Sequence, residues 1–150
     1  MVPMHCEVPD AERLRSSVQV FVRRFGLLLE DTTPCGQPLP TSHAHALMLL
    51  LASDRPVRQT ELGEGLGIDK SNVTRLCAQM EEKGHVRQVT DAQDRRARRV
   101  SLTAKGERVG RQVKQASGRR FEELLARIPP AKRESVFSGL AALNDALVKT

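Results

Sequence analysis

Residues 60–84 place two short helical segments on either side of a glycine turn, and directly afterwards the hydrophobic period changes from helical to alternating. The first segment, Thr60-Glu61-Leu62-Gly63-Glu64-Gly65-Leu66, runs into the turn Gly67-Ile68. Asp69 is placed as the N-cap of a second segment, residues 70–83, and Gly84 as its stop. Val73, Leu76, Cys77 and Met80 fall at i, i+3, i+4 and i+7 of that segment and make an inward face. Ser71, Asn72, Thr74, Arg75 and Gln79 are left outside, short polar and cationic groups gathered in the N-terminal half of the helix. Residues 85–90 and 99–103 then alternate as strands around the polar tip 91–97, so the unit ends in a hairpin. From Arg87 to Arg99 this hairpin holds five arginines (87, 95, 96, 98, 99) against Asp91 and Asp94, a local charge of +3.

Longer helices flank this centre. Leu14, Val18, Phe21, Val22, Phe25, Leu28 and Leu29 recur at helical spacing, which predicts a first helix over residues 9–30. Residues 31–40, DTTPCGQPLP, read as a loop. Thr41 or Ser42 is the expected cap of a helix that is apolar on nearly every side and ends at Asp54-Arg55-Pro56. Thr103 caps a long helix reaching about residue 127, broken by Pro129-Pro130. A last helix carries Val136, Phe137, Leu140, Leu143 and Leu147 on one face.

Composition narrows the function classes. The 150 residues hold 24 Lys and Arg against 18 Asp and Glu, a net charge of +6, with 39% hydrophobic and 28% charged residues, a mix that suits a globular chain. Its longest strongly apolar run, residues 46–52, is far short of the roughly 20 residues of a membrane helix. MVPMHCEVPDAER has no basic segment followed by an apolar one, so no secretory signal is expected there. Three cysteines without paired spacing point to a reducing cytoplasm. With four Phe, no Tyr and no Trp, base stacking on an aromatic sheet is disfavoured, and a basic chain of this kind points to phosphate contacts on duplex DNA.

Helix, tight turn, capped helix and arginine-tipped hairpin is the layout of a winged helix-turn-helix. The major groove admits one α-helix, whose N-terminal residues reach base edges. Asn72 could bond an adenine edge in two places and Arg75 a guanine edge, while an arginine at the hairpin tip suits the narrow, electronegative minor groove. Arg95, Arg96 and Arg98 are the candidate wing contacts. Lys105, Arg108, Arg111 and Lys114 form a drifting basic stripe, read equally well as a solvated face or as phosphate contacts.

The blocks TELGEGLGIDKSNVTRLCAQMEEKGHV (60–86) and DAQDRRARRVSLTAKG (91–106) resemble the MarR family of bacterial transcriptional regulators. The family's Asp-x-x-Asp-x-Arg wing pattern followed by Leu-Thr-x-x-Gly matches Asp91, Asp94, Arg96, Leu102, Thr103 and Gly106. The resemblance implies one mainly α-helical domain over residues 1–150 with a β-hairpin wing, in which 9–40 and 104–150 supply dimerisation helices and 41–103 the DNA-binding lobe. It implies that Lys70, Ser71, Asn72, Thr74 and Arg75 read the major groove, that Arg96 enters the minor groove and that Asp94 holds the wing arginines. It also implies a homodimeric repressor on a pseudo-palindromic operator, released by a small aromatic or amphipathic inducer or by a stress signal. By helix order the inducer cleft would draw on Phe21, Phe25, His43 and Leu47, residues that also suit a plain core.

Other chemistries find less support. Cys35, between Pro34 and Gly36, is the thiol a redox sensor could use, though no nearby group lowers its pKa; Cys77 reads as core and Cys6 as a tail residue. His43 and His45 point to different faces of a helix, and the resemblance implies that a zinc sensor would need further ligands on the helix after the wing, where residues 107–112 hold no His, so no metal site is expected. No catalytic triad, phosphate-cradling glycine loop or cofactor motif is present. The rival to a DNA-binding regulator is a winged-helix module that binds an acidic protein partner.

Overall fold

The structure is a computed structural model that describes residues 9–148. Its elements run α1 (Asp10–Phe25), α2 (Thr41–Ala52), β1 (Val57–Arg58), α3 (Gln59–Leu66), α4 (Lys70–Glu82), β2 (Val86–Thr90), β3 (Arg98–Leu102), α5 (Ala104–Ala126) and α6 (Pro130–Leu147). Two compact units divide the chain, the first ending at Lys114 and the second starting at Gln115, so the division falls inside α5. Among the described residues no helix is long and apolar enough to cross a membrane.

The first unit is built around α2. Its apolar composition buries His43, Ala44, Ala46, Leu47 and Leu50, and it packs against α3, α4 and β3. Leu62 from α3, Val73, Leu76, Cys77 and Met80 from α4 and Val100 from β3 complete the core. All four residues of the expected inward face of α4 are therefore buried.

The sheet is antiparallel in the order β1-β3-β2. The hairpin β2–β3 is the expected wing, with Val86 opposite Leu102 and Thr90 opposite Arg98. The third strand, β1, was not anticipated: Val57 and Arg58 pair with Val100 and Arg99. Two residues are too few to display a period, so only the partner strand reveals them.

Three helix boundaries differ from expectation or confirm it instructively. α1 stops at Phe25 rather than near residue 30, because Gly26 turns left-handed (φ 91°) and closes the helix onto the Val22 carbonyl. Leu28 and Leu29 continue the apolar spacing but lie beyond the helix, exposed. α2 starts at Thr41 directly after Pro40, so neither Thr41 nor Ser42 caps it, and the Thr41 hydroxyl is buried without a partner among the described residues. Thr103 does cap α5, its Oγ1 accepting from the Gly106 N–H at 3.0 Å.

In the second unit, α6 opens with Pro130 in its first turn, where a missing N–H costs nothing. The Arg133 Nε donates to the Ile128 carbonyl at 3.2 Å and ties the helix start to the preceding loop. No residue of α6 is buried, and Val136, Phe137, Leu140 and Leu147 are exposed.

Candidate nucleic-acid interface

The start of α4 is organised by Asp69. Its carboxylate accepts the Asn72 backbone N–H at 2.9 Å, the Ser71 hydroxyl at 2.9 Å and the Asn72 side-chain amide at 3.1 Å. The Asn72 backbone N–H and then the Ser71 hydroxyl hold this carboxyl below its usual range. Ser71 and Asn72 are thus exposed but turned toward the cap, while the Thr74 hydroxyl donates to the Lys70 carbonyl at 2.8 Å. Lys70 and Arg75 are exposed and make no ion pair among the described residues. Their side chains are the ones in this group already available to an anionic surface.

A polar chain joins α4 to the wing. Thr74 Oγ1 lies 3.4 Å from Gln59 Oε1, the Gln59 amide donates to Gln88 Oε1, and the Gln88 backbone N–H donates to Glu81 at 2.9 Å. The first residue of α3, the exposed polar face of α4 and the strand β2 are thereby linked.

The wing tip closes through backbone bonds Asp91 N–H to Ala97 O and Ala97 N–H to Asp94 O, both 2.9 Å. Asp94 acts here as a turn residue: its Oδ1 accepts the Arg96 backbone N–H at 3.0 Å. The carboxylate that holds arginine side chains is instead Asp91, which is 2% exposed and lies 2.8 Å from Arg58 Nη2 and 3.3 Å from Arg99 Nε. The Gln93 N–H foremost, then Arg58 and Arg99, lower its pKa, against the opposing effect of burial. The sequence points to Asp94 because a local pattern shows neighbours along the chain, whereas Arg58 sits 33 positions from Asp91 and reaches it through the unforeseen strand. Arg95, Arg96 and Arg98 are exposed, while the following Arg99 turns inward, as strand alternation requires.

Along the start of α5 the basic stripe is partly spoken for: Lys105 donates to the Lys83 carbonyl at 2.9 Å and Arg111 pairs with Glu107 at 2.7 Å. Arg108 and Lys114 remain exposed.

The expected inducer residues differ in exposure. Phe21 and Phe25 stack on α1 with ring centres 5.2 Å apart, Phe21 being half exposed. His43 and Leu47 are fully inside the core, and His43 is hydrogen-bonded to His85. A side chain with no exposed surface contacts a ligand only after repacking, which is why Leu47 is a core residue in this state. An open cleft of about 230 Å³ lies elsewhere, with Leu50, Pro56, Val100, Leu102, Arg55 and Glu107 among its lining.

Cys35 is half-buried in a loop closed by Thr33 and Gln37. Cys77 is buried, and burial pushes its thiol up to about 11, the inert state of a core cysteine. Cys6 lies outside the described residues. His43 is buried and His45 exposed, on different faces as expected, and no cluster of three or more His, Cys, Asp or Glu able to hold a metal occurs among the described residues.

The MarR family model matches residues 37–97, which span α2 to the wing tip. Solved structures share the fold over nearly the whole chain. The PcaV transcriptional regulator from Streptomyces coelicolor, in complex with its natural ligand, is 24% identical with a TM-score of 0.66, over 92% of this chain and 91% of that one. The S. aureus MepR–DNA complex is 16% identical with a TM-score of 0.69, over 92% of both chains. Streptococcus pneumoniae FabT in complex with DNA is 20% identical with a TM-score of 0.73, over 92% of this chain and 97% of that one.

Proposed function

From the match of residues 37–97 to the MarR family model and the likeness in fold to solved regulators, we infer that this chain is a sequence-specific DNA-binding regulator of transcription that acts as a homodimeric repressor. The observation that carries the reading is the pairing of two exposed basic features on one hydrogen-bonded frame: Lys70 and Arg75 on α4, and the wing with Arg95, Arg96 and Arg98. Arg75 and Asn72 read base edges in the major groove, Asn72 after its amide leaves Asp69. Ser71, Thr74 and Lys70 support that contact from the same turn, and Arg96 enters the minor groove with Arg95 and Arg98 on flanking phosphates. Asp94 fixes the wing-tip backbone that aims Arg96.

The homodimer rests on apolar surface. Leu14 and Phe21 on α1, and Val136, Phe137, Leu140 and Leu147 on α6, are exposed in the single chain. Large apolar side chains exposed along a helix are covered in a stable protein, and a two-fold dimer covers those of each helix with a second copy. Two recognition helices then meet half-sites about one DNA turn, roughly 34 Å, apart. Release by a small aromatic or amphipathic ligand fits the family and the ligand complex of PcaV; Phe21 and Phe25 are the part of the expected pocket that is accessible here.

Selection from a pool of random DNA duplexes tests the reading. Enrichment of a pseudo-palindrome with half-sites about one turn apart is expected. Enrichment of no sequence would favour the protein-interaction module.

A further inference from the structure

Two buried imidazoles meet at the base of the recognition helix. His43 on α2 and His85, between α4 and β2, are 1% and 8% exposed, and His43 Nε2 lies 2.9 Å from His85 Nδ1. The rings stand edge to face, 81° apart. Such a contact needs one facing nitrogen to carry a proton and the other to be bare. A proton on the bare nitrogen sets two N–H groups against each other.

His85 is also a backbone junction. Its N–H donates to the Met80 carbonyl at 2.9 Å, closing the end of α4, and its carbonyl accepts the Thr103 N–H at 3.1 Å. Gly106 of α5 lies so close to that carbonyl that a Cβ there would sit 1.8 Å from its oxygen. The backbone at His85 is therefore tied to α4, to the chain after β3 and to α5, and its ring carries the tie to α2. Lys83, just past α4, and Lys105, in the first turn of α5, are the charged groups that act on the pair. Both are cations, and Lys105 donates to the Lys83 carbonyl at 2.9 Å. Among the described residues no carboxylate acts on either ring to offset an added positive charge.

We propose that the His43–His85 hydrogen bond is a proton-sensitive latch between α2 and the exit of the recognition helix, closed while the rings are neutral and opened by acid, so that DNA affinity falls on acidification. The latch rests on the DNA-binding reading above. Burial first, then Lys83 and His85, lowers the His43 pKa from 6.5 to about 4; burial, Lys105 and Lys83 lower that of His85. The fold thus favours the neutral rings. The stabilisation is complete above the unfolded value of 6.5 and is lost as the pH falls from there toward about 4.

The test compares the wild type with His43→Gln/His85→Asn, whose amides can hydrogen-bond but do not titrate, and with His43→Gln alone should the double variant fail to fold. The probe is a duplex of the DNA upstream of the protein's own gene, labelled with a rhodamine dye that does not titrate in the range and bound at fixed ionic strength from about pH 7.5 to about pH 5. Added positive charge alone strengthens DNA binding on acidification. The latch predicts the opposite sign: wild-type affinity falls about tenfold or more, and the variants fall at least severalfold less. Wild type and variants moving together, or a wild type that binds more tightly in acid, overturns the latch. The DNA reading fails separately, by absence of wild-type binding to any duplex at about pH 7.5. In that event thermal unfolding decides the latch: the wild type must lose more Tm than the variants over the same range, and equal losses overturn it.

Discussion

Arg58 Nη2 lies 2.8 Å from Asp91 Oδ2, which joins the strand leading into the helix-turn-helix to the root of the wing. Arg99 reinforces the junction by reaching both Asp91 and the Pro56 carbonyl. Asp91→Asn removes the charge that two guanidinium groups share and leaves them half-buried together. The expected outcome is a lower Tm and a DNA affinity reduced about tenfold, measured by thermal unfolding and anisotropy. The pH dependence has a defined sign. Because the folded carboxyl lies below the usual 3.8, its stabilising contribution is present above that value and lost as the pH falls below it. Acid unfolding of Asp91→Asn should accordingly show a weaker dependence on pH in that range.

Arg96→Ala tests the wing. An exposed arginine in the minor groove contributes charge whatever the sequence, so affinity should fall by about 1–3 kcal/mol, and the slope of log affinity against log salt should lose about one unit. Arg95→Ala should change the slope similarly with a smaller loss of affinity. An unchanged slope in both would remove the wing from the interface.

Arg75→Ala should behave differently, with a loss of about 1–3 kcal/mol concentrated at one base pair of each half-site. Competition with duplexes altered at single positions separates this from a general loss. Asn72→Ala has a further consequence, because the Asn72 amide also donates to Asp69 at the helix cap. It should lower Tm slightly as well as relax specificity.

Gly106→Ala places a methyl group 1.8 Å from the His85 carbonyl oxygen, against backbone that cannot move aside without breaking the Thr103 bond. A destabilisation of about 3 kcal/mol or more is expected, read as a steep fall in Tm. Gly118→Ala, with nothing within 4 Å of the added methyl group and a helical backbone, serves as the control and should leave Tm unchanged or raise it.

The helix-turn-helix and the wing are legible in the sequence because their signals are local. Val73, Leu76, Cys77 and Met80 announce the buried face by spacing alone, and Asp69 and Thr103 announce their caps by residue type and position. What escaped depends on contacts across the chain. β1 is two residues long and exists by pairing with β3. Asp91 acquires its arginines from 58 and 99, and His43 acquires His85 from 42 positions away. Helix order places an inducer residue on an element but does not say whether its side chain faces a cavity; for Leu47 it faces the core.

Sequence-specific binding to duplex DNA is read by fluorescence anisotropy across a salt series. The upstream duplex and a scrambled duplex of the same composition are titrated with the full chain. A sequence-specific regulator prefers the upstream DNA on the order of a thousandfold and shows a steep linear fall of log affinity with log salt. Weak and equal binding to both, together with a failure of random-duplex selection to enrich any sequence, would contradict it.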